Sequence, residues 1–222
     1  MAKYVISDVH GDYNRFLKIL QKIEFDSKDE LYVLGDVIDR GAESYKIIDY
    51  IVGHKNIHLL KGNHEKLFQD FYETGDASLW YYNGGLSTHK DFLKQGYHVY
   101  DSIYRYVKNL PYIYVVEKYI LTHAGVIFPD NYNNMSINDF IEAQDEDKCL
   151  WSRDMIHSSN KFKDYTIVCG HTPVQCIPTN NREENKIIKK DGIIYIDCGC
   201  GTDYKNKQLS CLRLDDLKEF YV

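Results

Sequence analysis

Five short blocks of this chain follow an apolar run with oxygen and nitrogen donors. They are Ser7-Asp8-Val9-His10-Gly11, Gly35-Asp36-Val37-Ile38-Asp39-Arg40-Gly41, Gly62-Asn63-His64-Glu65, Thr122-His123-Ala124-Gly125 and Gly170-His171-Thr172-Pro173. Carboxylate, imidazole and amide groups without thiolate suit Mn, Fe or Zn and disfavour a structural zinc–cysteine site. Two divalent ions about 3.5–4 Å apart need one shared anionic ligand and flanking O and N donors. Asp36 suits the shared position because its block lies centrally in the order. Asp8 and His10 would complete the first ion's shell, and Asn63, His123 and His171 the second. One residue separates Asp8 from His10, so an extended segment would send both side chains to one side. Taken singly, each residue has a plainer reading: Asp36 as a turn residue, Asn63 as a helix N-cap, either histidine as a satisfied core group. Those readings must all hold together at every block if there is no metal site. The glycines permit tight turns and close backbone approach to a ligand.

The runs before the blocks read as strands: Tyr4–Ile6, Leu31–Leu34, Ile57–Leu60, Tyr119–Leu121 and Thr166–Cys169. In open α/β sheets, ligands sit outside the carboxyl ends of strands. Helices are expected over Tyr13–Ile23, where Phe16, Leu17, Leu20 and Ile23 share a face, and from about Glu43 to Ile51. A third opens at Asn63. This βαβαβ pattern implies parallel strands with right-handed crossovers. Residues 66–108 read as mostly helical, with an aromatic bend at Trp80-Tyr81-Tyr82-Asn83-Gly84-Gly85. Pro111–Glu117 and Lys118–Leu121 look like adjacent strands. Asn131–Asp147 reads as a loop with a short helix opened by Ser136. Later strands are expected at Lys186–Lys190, Ile193–Asp197 and Leu209–Leu214, with a hairpin at Asp191-Gly192. Parallel units followed by antiparallel strands suggest two sheets packed face to face with helices outside.

The 222 residues fit a single domain over 1–222, long enough to bury a sizeable core. The formal net charge of -6 and the lack of a basic stripe argue against a binder of duplex nucleic acid. No apolar stretch approaches the roughly 20 residues that span a bilayer. The N-terminus has no signal-peptide h-region, and the six cysteines form no CxxC pair. A cytoplasmic protein with reduced thiols is the expectation. His54, His58, His89, His98 and His157 stand in no ligand context and are expected to be structural or surface residues.

The series Asp-x-His-Gly, Gly-Asp-x-x-Asp-Arg-Gly, Gly-Asn-His-Glu, His-Ala-Gly and Gly-His-Thr-Pro resembles the calcineurin-like metallophosphoesterases. It looks most like their phosphoprotein-phosphatase branch, within it the small bacterial and phage Ser/Thr phosphatases, from Asp8 to about Arg213. The resemblance implies a four-layer αββα sandwich of two mixed β-sheets flanked by helices, and a dinuclear centre often active with Mn2+. It implies that Asp8, His10, Asp36, Asn63, His123 and His171 are the ligands. His64 resembles the family's general acid, with Asp39 fixing its tautomer, and a metal-bridging hydroxide would be the nucleophile. Arg40 and Arg153 resemble the phosphate-clamping pair, since guanidinium groups bind phosphate oxygens bidentately. Glu65 reads as a hydrogen-bonding support or a first-turn helix carboxylate. Trp80, Asn83, Gly84, Gly85 and Thr88 resemble a segment near the site in bacterial members, and could equally be core and turn. Ser7 replaces a glycine common in the family, with little consequence expected. Asp197-Cys198-Gly199-Cys200 resembles the family's Asp-Thr-Gly strand, its cysteines fillers. A phosphoprotein or a phosphorylated small molecule is the implied substrate. The rival activity is symmetrical bis(5'-nucleosyl)-tetraphosphatase, and the rival class a catalytically silent scaffold that should have lost ligands or the acid.

Overall fold

The computed structural model describes residues 1–178 and 185–222. Its first part runs β1 (Lys3–Ile6), α1 (Tyr13–Lys22), β2 (Glu30–Val33), α2 (Ser44–Val52) and β3 (Ile57–Leu59). Four helices follow: α3 (Asn63–Thr74), α4 (Ser78–Tyr82), α5 (Gly85–Lys94) and α6 (Tyr97–Lys108). Then come β4 (Ile113–Val116), β5 (Tyr119–Thr122), α7 (Ile137–Glu142), α8 (Glu146–Trp151) and β6 (Thr166–Cys169). The last strands are β7 (Ile188–Lys190), β8 (Ile193–Tyr195), β9 (Ser210–Arg213) and β10 (Glu219–Tyr221). They pair into two five-stranded sheets, β10-β9-β1-β2-β3 and β4-β5-β6-β8-β7.

Each sheet has a parallel centre and antiparallel edges. In the first, β1, β2 and β3 are parallel, and β9 and β10 add antiparallel strands beside β1. In the second, β5, β6 and β8 are parallel, while β4 and β7 join by hairpins. The sequence pattern suggested antiparallel strands after the βαβαβ units, while the family resemblance implied two mixed sheets, as found. The difference arises because the β5-to-β6 connection carries α7 and α8, long enough for a parallel crossover. The hairpin at Asp191-Gly192 forms as the dipeptide predicts, with both residues at positive φ (53° and 81°) as a type I′ turn requires. Ser136 caps α7 as expected, its side chain accepting from the Asp139 N–H. Neither α8 nor β10 was foreseen from the sequence.

Strand periodicity sorts the core into two layers. Tyr4, Ile6, Leu31, Val33, Ile57 and Leu59 face the helices and pack with Phe16, Ile19, Ile47 and Ile51. Val5, Leu34, Leu60 and Leu212 face the other way and meet Ile120, Val168 and Ile194 between the sheets. Both faces of the central strands are covered, which is why their sequences run continuously apolar. Tyr119 ties the sheets together by donating its hydroxyl to the Leu214 carbonyl at 2.9 Å.

Outside the first sheet, Phe68 of α3 joins helices α4, α5 and α6. Its ring centroid lies 5.4 Å from Trp80, 5.4 Å from Phe92 and 5.6 Å from Tyr100. Phe68→Ala should therefore cost about 3–5 kcal/mol of stability by opening a cavity where four helices meet. Urea unfolding followed by circular dichroism would measure it, and a loss under about 1 kcal/mol would mean that these helices do not depend on that ring.

Candidate metal centre

All five donor blocks lie at the carboxyl ends of parallel strands, three from the first sheet and two from the second. β8 brings a sixth group, Asp197, to the same edge. Strand pairing continues into the loops: Asp8 N donates to Gly35 O at 3.3 Å, His10 N to Asp36 O at 2.9 Å and Gly170 N to His123 O at 2.8 Å. Asp8, His10, Asp36, Asp39, Arg40 and His171 all have positive φ, from 49° to 71°. That region is uncommon for residues with a Cβ, and such outliers gather at functional sites. Asp8 and His10 thus reach the site from a coiled backbone, not from the extended segment their spacing predicted.

Three candidate donors lie over glycines that cannot carry a side chain. A Cβ on Gly62 would sit 2.2 Å from Asp36 Oδ1, one on Gly170 2.2 Å from Asp8 Oδ2, and one on Gly201 2.0 Å from His10 Cδ2. Glu65 organises the centre from below. Its carboxylate accepts the backbone N–H groups of Asp36 (2.7 Å), Val37 (2.9 Å) and Gly62 (2.8 Å). It is both the support and the first-turn helix carboxylate that the sequence allowed. Burial and the Asp36 charge push it up to about 7, against the pull of those N–H groups.

Two groups of side chains could each hold an ion: His10, Asp36 and His64, and Asp36, His123 and His171. Asp36 is common to both. Its Oδ2 stands 3.7 Å from His10 Nε2, 3.8 Å from His64 Nε2 and 3.4 Å from His123 Nε2. Asn63 Oδ1 lies 2.9 Å from His123 Nε2 and 2.9 Å from His171 Nδ1. His10 and His123 each donate Nδ1–H to a carbonyl, of Ile38 at 3.0 Å and of Leu34 at 2.6 Å, so Nε2 is the nitrogen that each turns toward Asp36. Asp8 stands outside both groups. Its Oδ2 accepts the His171 N–H at 3.0 Å and the Ser7 hydroxyl. Ser7 therefore has a consequence that a glycine there could not have.

The electrostatics fit cations. Asp8, Asp36 and Asp197 are all buried, and buried carboxylates need compensating positive charge. Burial alone would raise Asp36, but His123, His64 and His10 hold it well below the usual range. Burial would lower His123, but Asp36 and Asp8 push it up to about 10. Burial and the His123 charge take His171 down to about 3, leaving it neutral, and its Nε2 finds no partner among the described residues. Burial and the Asp8 charge raise Asp197 well above the usual range. A second proton on His123 and protons on carboxylates are what such a donor set takes up when no cation occupies it.

Beside this cluster lies a buried acid–base pair. His64 Nδ1 donates to Asp39 Oδ2 at 2.7 Å. The Trp80 indole N–H lies 3.0 and 2.9 Å from the two Asp39 oxygens. The Asp39 N–H meets Thr88 Oγ1 at 2.7 Å. Burial lowers His64, but Asp36 and Asp39 outweigh it and leave it above its ordinary value. Arg40 donates to His64 Nε2 at 3.0 Å and to the Gly201 carbonyl at 3.3 Å. Arg153 is exposed, and its guanidinium has no hydrogen-bond or ion-pair partner among the described residues. Both guanidinium groups line a cleft of about 710 Å³ together with Asp8, His10, Asp36, Asn63, His64 and His171. Asp197 adds to its floor, and its outer wall includes Asn83, Trp151, Cys176 and Tyr204.

Ten side chains singled out from the sequence find these places. Eight of them line the cleft; His123 lies beneath it, and Asp39 lies behind His64. His58 and His89 are structural: His58 pairs with Glu30, and His89 packs among Phe71, Trp80 and Tyr100. Sequence reasoning passed over Asp197 as a site residue, although it too ends an apolar strand.

Comparison with known proteins adds four likenesses. The sequence profile of the calcineurin-like phosphoesterases matches residues 1–199. The serine/threonine-protein phosphatase 2 of Salmonella typhimurium is 32% identical over 207 residues, 88% of this chain and 86% of that protein. The symmetrical bis(5'-nucleosyl)-tetraphosphatase of Buchnera aphidicola is 40% identical over 67 residues, 29% of this chain and only 24% of that protein. Among solved structures, a protein provisionally described as a diadenosine tetraphosphatase superposes with a TM-score of 0.67 at 14% identity, over 100% of this chain and 92% of that one. At that identity the likeness concerns the fold. It agrees with two mixed five-stranded sheets flanked by helices.

Gly170→Ala tests the cradle without touching a donor. Its new methyl would displace Asp8 and Ser7, so Mn2+ affinity measured by titration calorimetry should fall about 10–100-fold. An unchanged affinity would show that Asp8 needs no fixed position.

Proposed function

The chain belongs to the calcineurin-like phosphoesterases, and on that premise we propose a metal-dependent phosphomonoesterase that hydrolyses phosphoserine and phosphothreonine in proteins. The observation that carries the reading is His64, held by Asp39 at 2.7 Å with its other nitrogen turned toward Asp36 and Arg40. A seryl or threonyl alkoxide is a poor leaving group, so a positioned proton donor matters for its departure. The match to a Ser/Thr phosphatase along nearly the whole chain supports that substrate class.

Asp8, His10, Asp36, Asn63, His123 and His171 would hold two divalent ions, with Asp36 shared. Mn2+ is the proposed pair, Fe or Zn being compatible with the same O and N donors. Such ions supply an activated water and positive charge against the phosphoryl oxygens. The chain's own groups do the rest. Arg40 and Arg153 grip the remaining phosphate oxygens, where planar guanidinium groups bind in pairs of hydrogen bonds. An arriving phosphate draws Arg40 from His64 Nε2, and that nitrogen, its lone pair freed, takes up a proton from water and then faces the leaving oxygen. Asp39 holds the ring so that Nδ1 carries a proton and Nε2 delivers the other. The six free cysteines support action in a reducing cytoplasm.

A second reading shares this centre: a symmetrical dinucleoside tetraphosphatase. The higher local identity over 67 residues to a protein of that name favours it. Side-by-side kcat/KM on a phosphoserine peptide and on diadenosine tetraphosphate with Mn2+ decides. The peptide should be preferred, and preference for the nucleotide would replace the first reading with the second.

His64→Asn should lower kcat on the phosphoserine peptide by about 10²–10⁴-fold, and on p-nitrophenyl phosphate far less, because that leaving group hardly needs a proton. Equal losses on both substrates would remove His64 from the proton-donor role. Arg153→Ala should chiefly raise KM, by about 10-fold for the loss of a charged hydrogen bond.

A further inference from the structure

Trp80 is almost fully buried, at 1% exposure, while its neighbours Leu79 and Tyr82 in α4 are exposed. Its ring stacks on Phe71 at 4.9 Å and packs on Phe68 at 5.4 Å. Gly85 makes room for it: a Cβ there would lie 2.3 Å from the indole nitrogen. All this packing delivers one polar atom, the indole N–H, between the two oxygens of Asp39 at 3.0 and 2.9 Å.

We propose that Trp80 is a positioning residue for proton donation: it locks the Asp39 carboxylate, which in turn holds the His64 ring. The torsion of a carboxylate is broad and two-fold, so burial alone does not fix its plane. A donor straddling both oxygens does. Indole can donate and cannot accept, so Asp39 remains the acceptor on both sides and His64 must present N–H at Nδ1. A hydroxyl in its place could turn round and reverse that order. The same segment also reaches the phosphate side. Asn83 lines the cleft, and the Gly84 carbonyl accepts the Arg40 N–H at 3.1 Å. A Cβ on Gly84, which has φ of 97°, would press to 3.0 Å from Arg40 Cγ. Residues 78–85 therefore set the phosphate clamp and the proton donor relative to each other.

The proposal rests on the reading of His64 as proton donor, and the test separates the two. Trp80→Phe, His64→Asn and the double variant are assayed on a phosphoserine peptide and on p-nitrophenyl phosphate. Replacing Trp80 by benzothienylalanine keeps the bicyclic shape without the N–H, and covers the case in which Trp80→Phe does not fold. Both Trp80 replacements should lower kcat on the peptide about 10-fold or more, a part of the full general-acid effect, with KM little changed and a much smaller loss on the aryl phosphate. Added to His64→Asn they should have little further effect. Equal losses on both substrates, or full multiplication in the double variant, would overturn the role of Trp80 while His64→Asn still distinguished the substrates. If His64→Asn itself failed to distinguish them, the proton-donor reading and the Trp80 role would fall together.

Discussion

Asp36 carries a charge almost wholly withdrawn from water, at the floor of the cleft. It is 2% exposed, and Asp8 and Asp197 bring two more carboxylates into the same buried space. Such a concentration of negative groups is unstable unless positive charge faces it. Here the protein supplies imidazoles on several sides, from β1, α3 and β5, and the rest of the architecture follows from gathering them. The parallel strands of both sheets end at one edge, and the glycines beneath the donors let the chain pass close. Left-handed residues bend the loops after β1, β2 and β6 inward, at a strain of order 1–3 kcal/mol apiece that the surrounding packing must offset.

Much of this was legible in the residues because donors followed apolar strands in a repeating order. The five strands were found within one residue at either end, and Asp191-Gly192 announced its own turn. What stayed hidden depends on contacts distant in the chain. Trp80 meets Asp39 across 41 positions, and nothing in an aromatic-rich bend says which ring goes inward. The bent backbone of Asp8 and His10 is imposed by pairing with Gly35 and Asp36, so their spacing alone misled. Parallel pairing of β6 with β5 and β8 was missed for a similar reason, since short apolar runs do not reveal which neighbour they choose. Asp197 carried the right signal, a carboxylate after a strand, but stood among cysteines that drew attention to packing.

The division of labour within the site is also physical. The deep groups are fixed by backbone hydrogen bonds and have no freedom to adapt. The outer wall of Trp151, Arg153, Cys176 and Tyr204 comes from the end of α8 and the segments after α8, β6 and β8, where side chains are at least partly exposed. A common inner chemistry with a variable outer wall lets one fold serve different phosphate esters, and loops are where such variation is tolerated.

Sulfur is distributed by the same layering. Five of the six cysteines are buried, and burial pushes Cys149, Cys198 and Cys200 up to about 12, with Cys169 and Cys211 raised as well. Thiols so disfavoured as thiolates are poor nucleophiles. Electrophiles and mild oxidants will therefore meet this folded protein at Cys176, on the rim beside the Tyr204 hydroxyl at 3.0 Å. A maleimide dye would land at the cleft mouth and leave the interior unlabelled, which makes the native chain a ready-made fluorescent reporter of what enters.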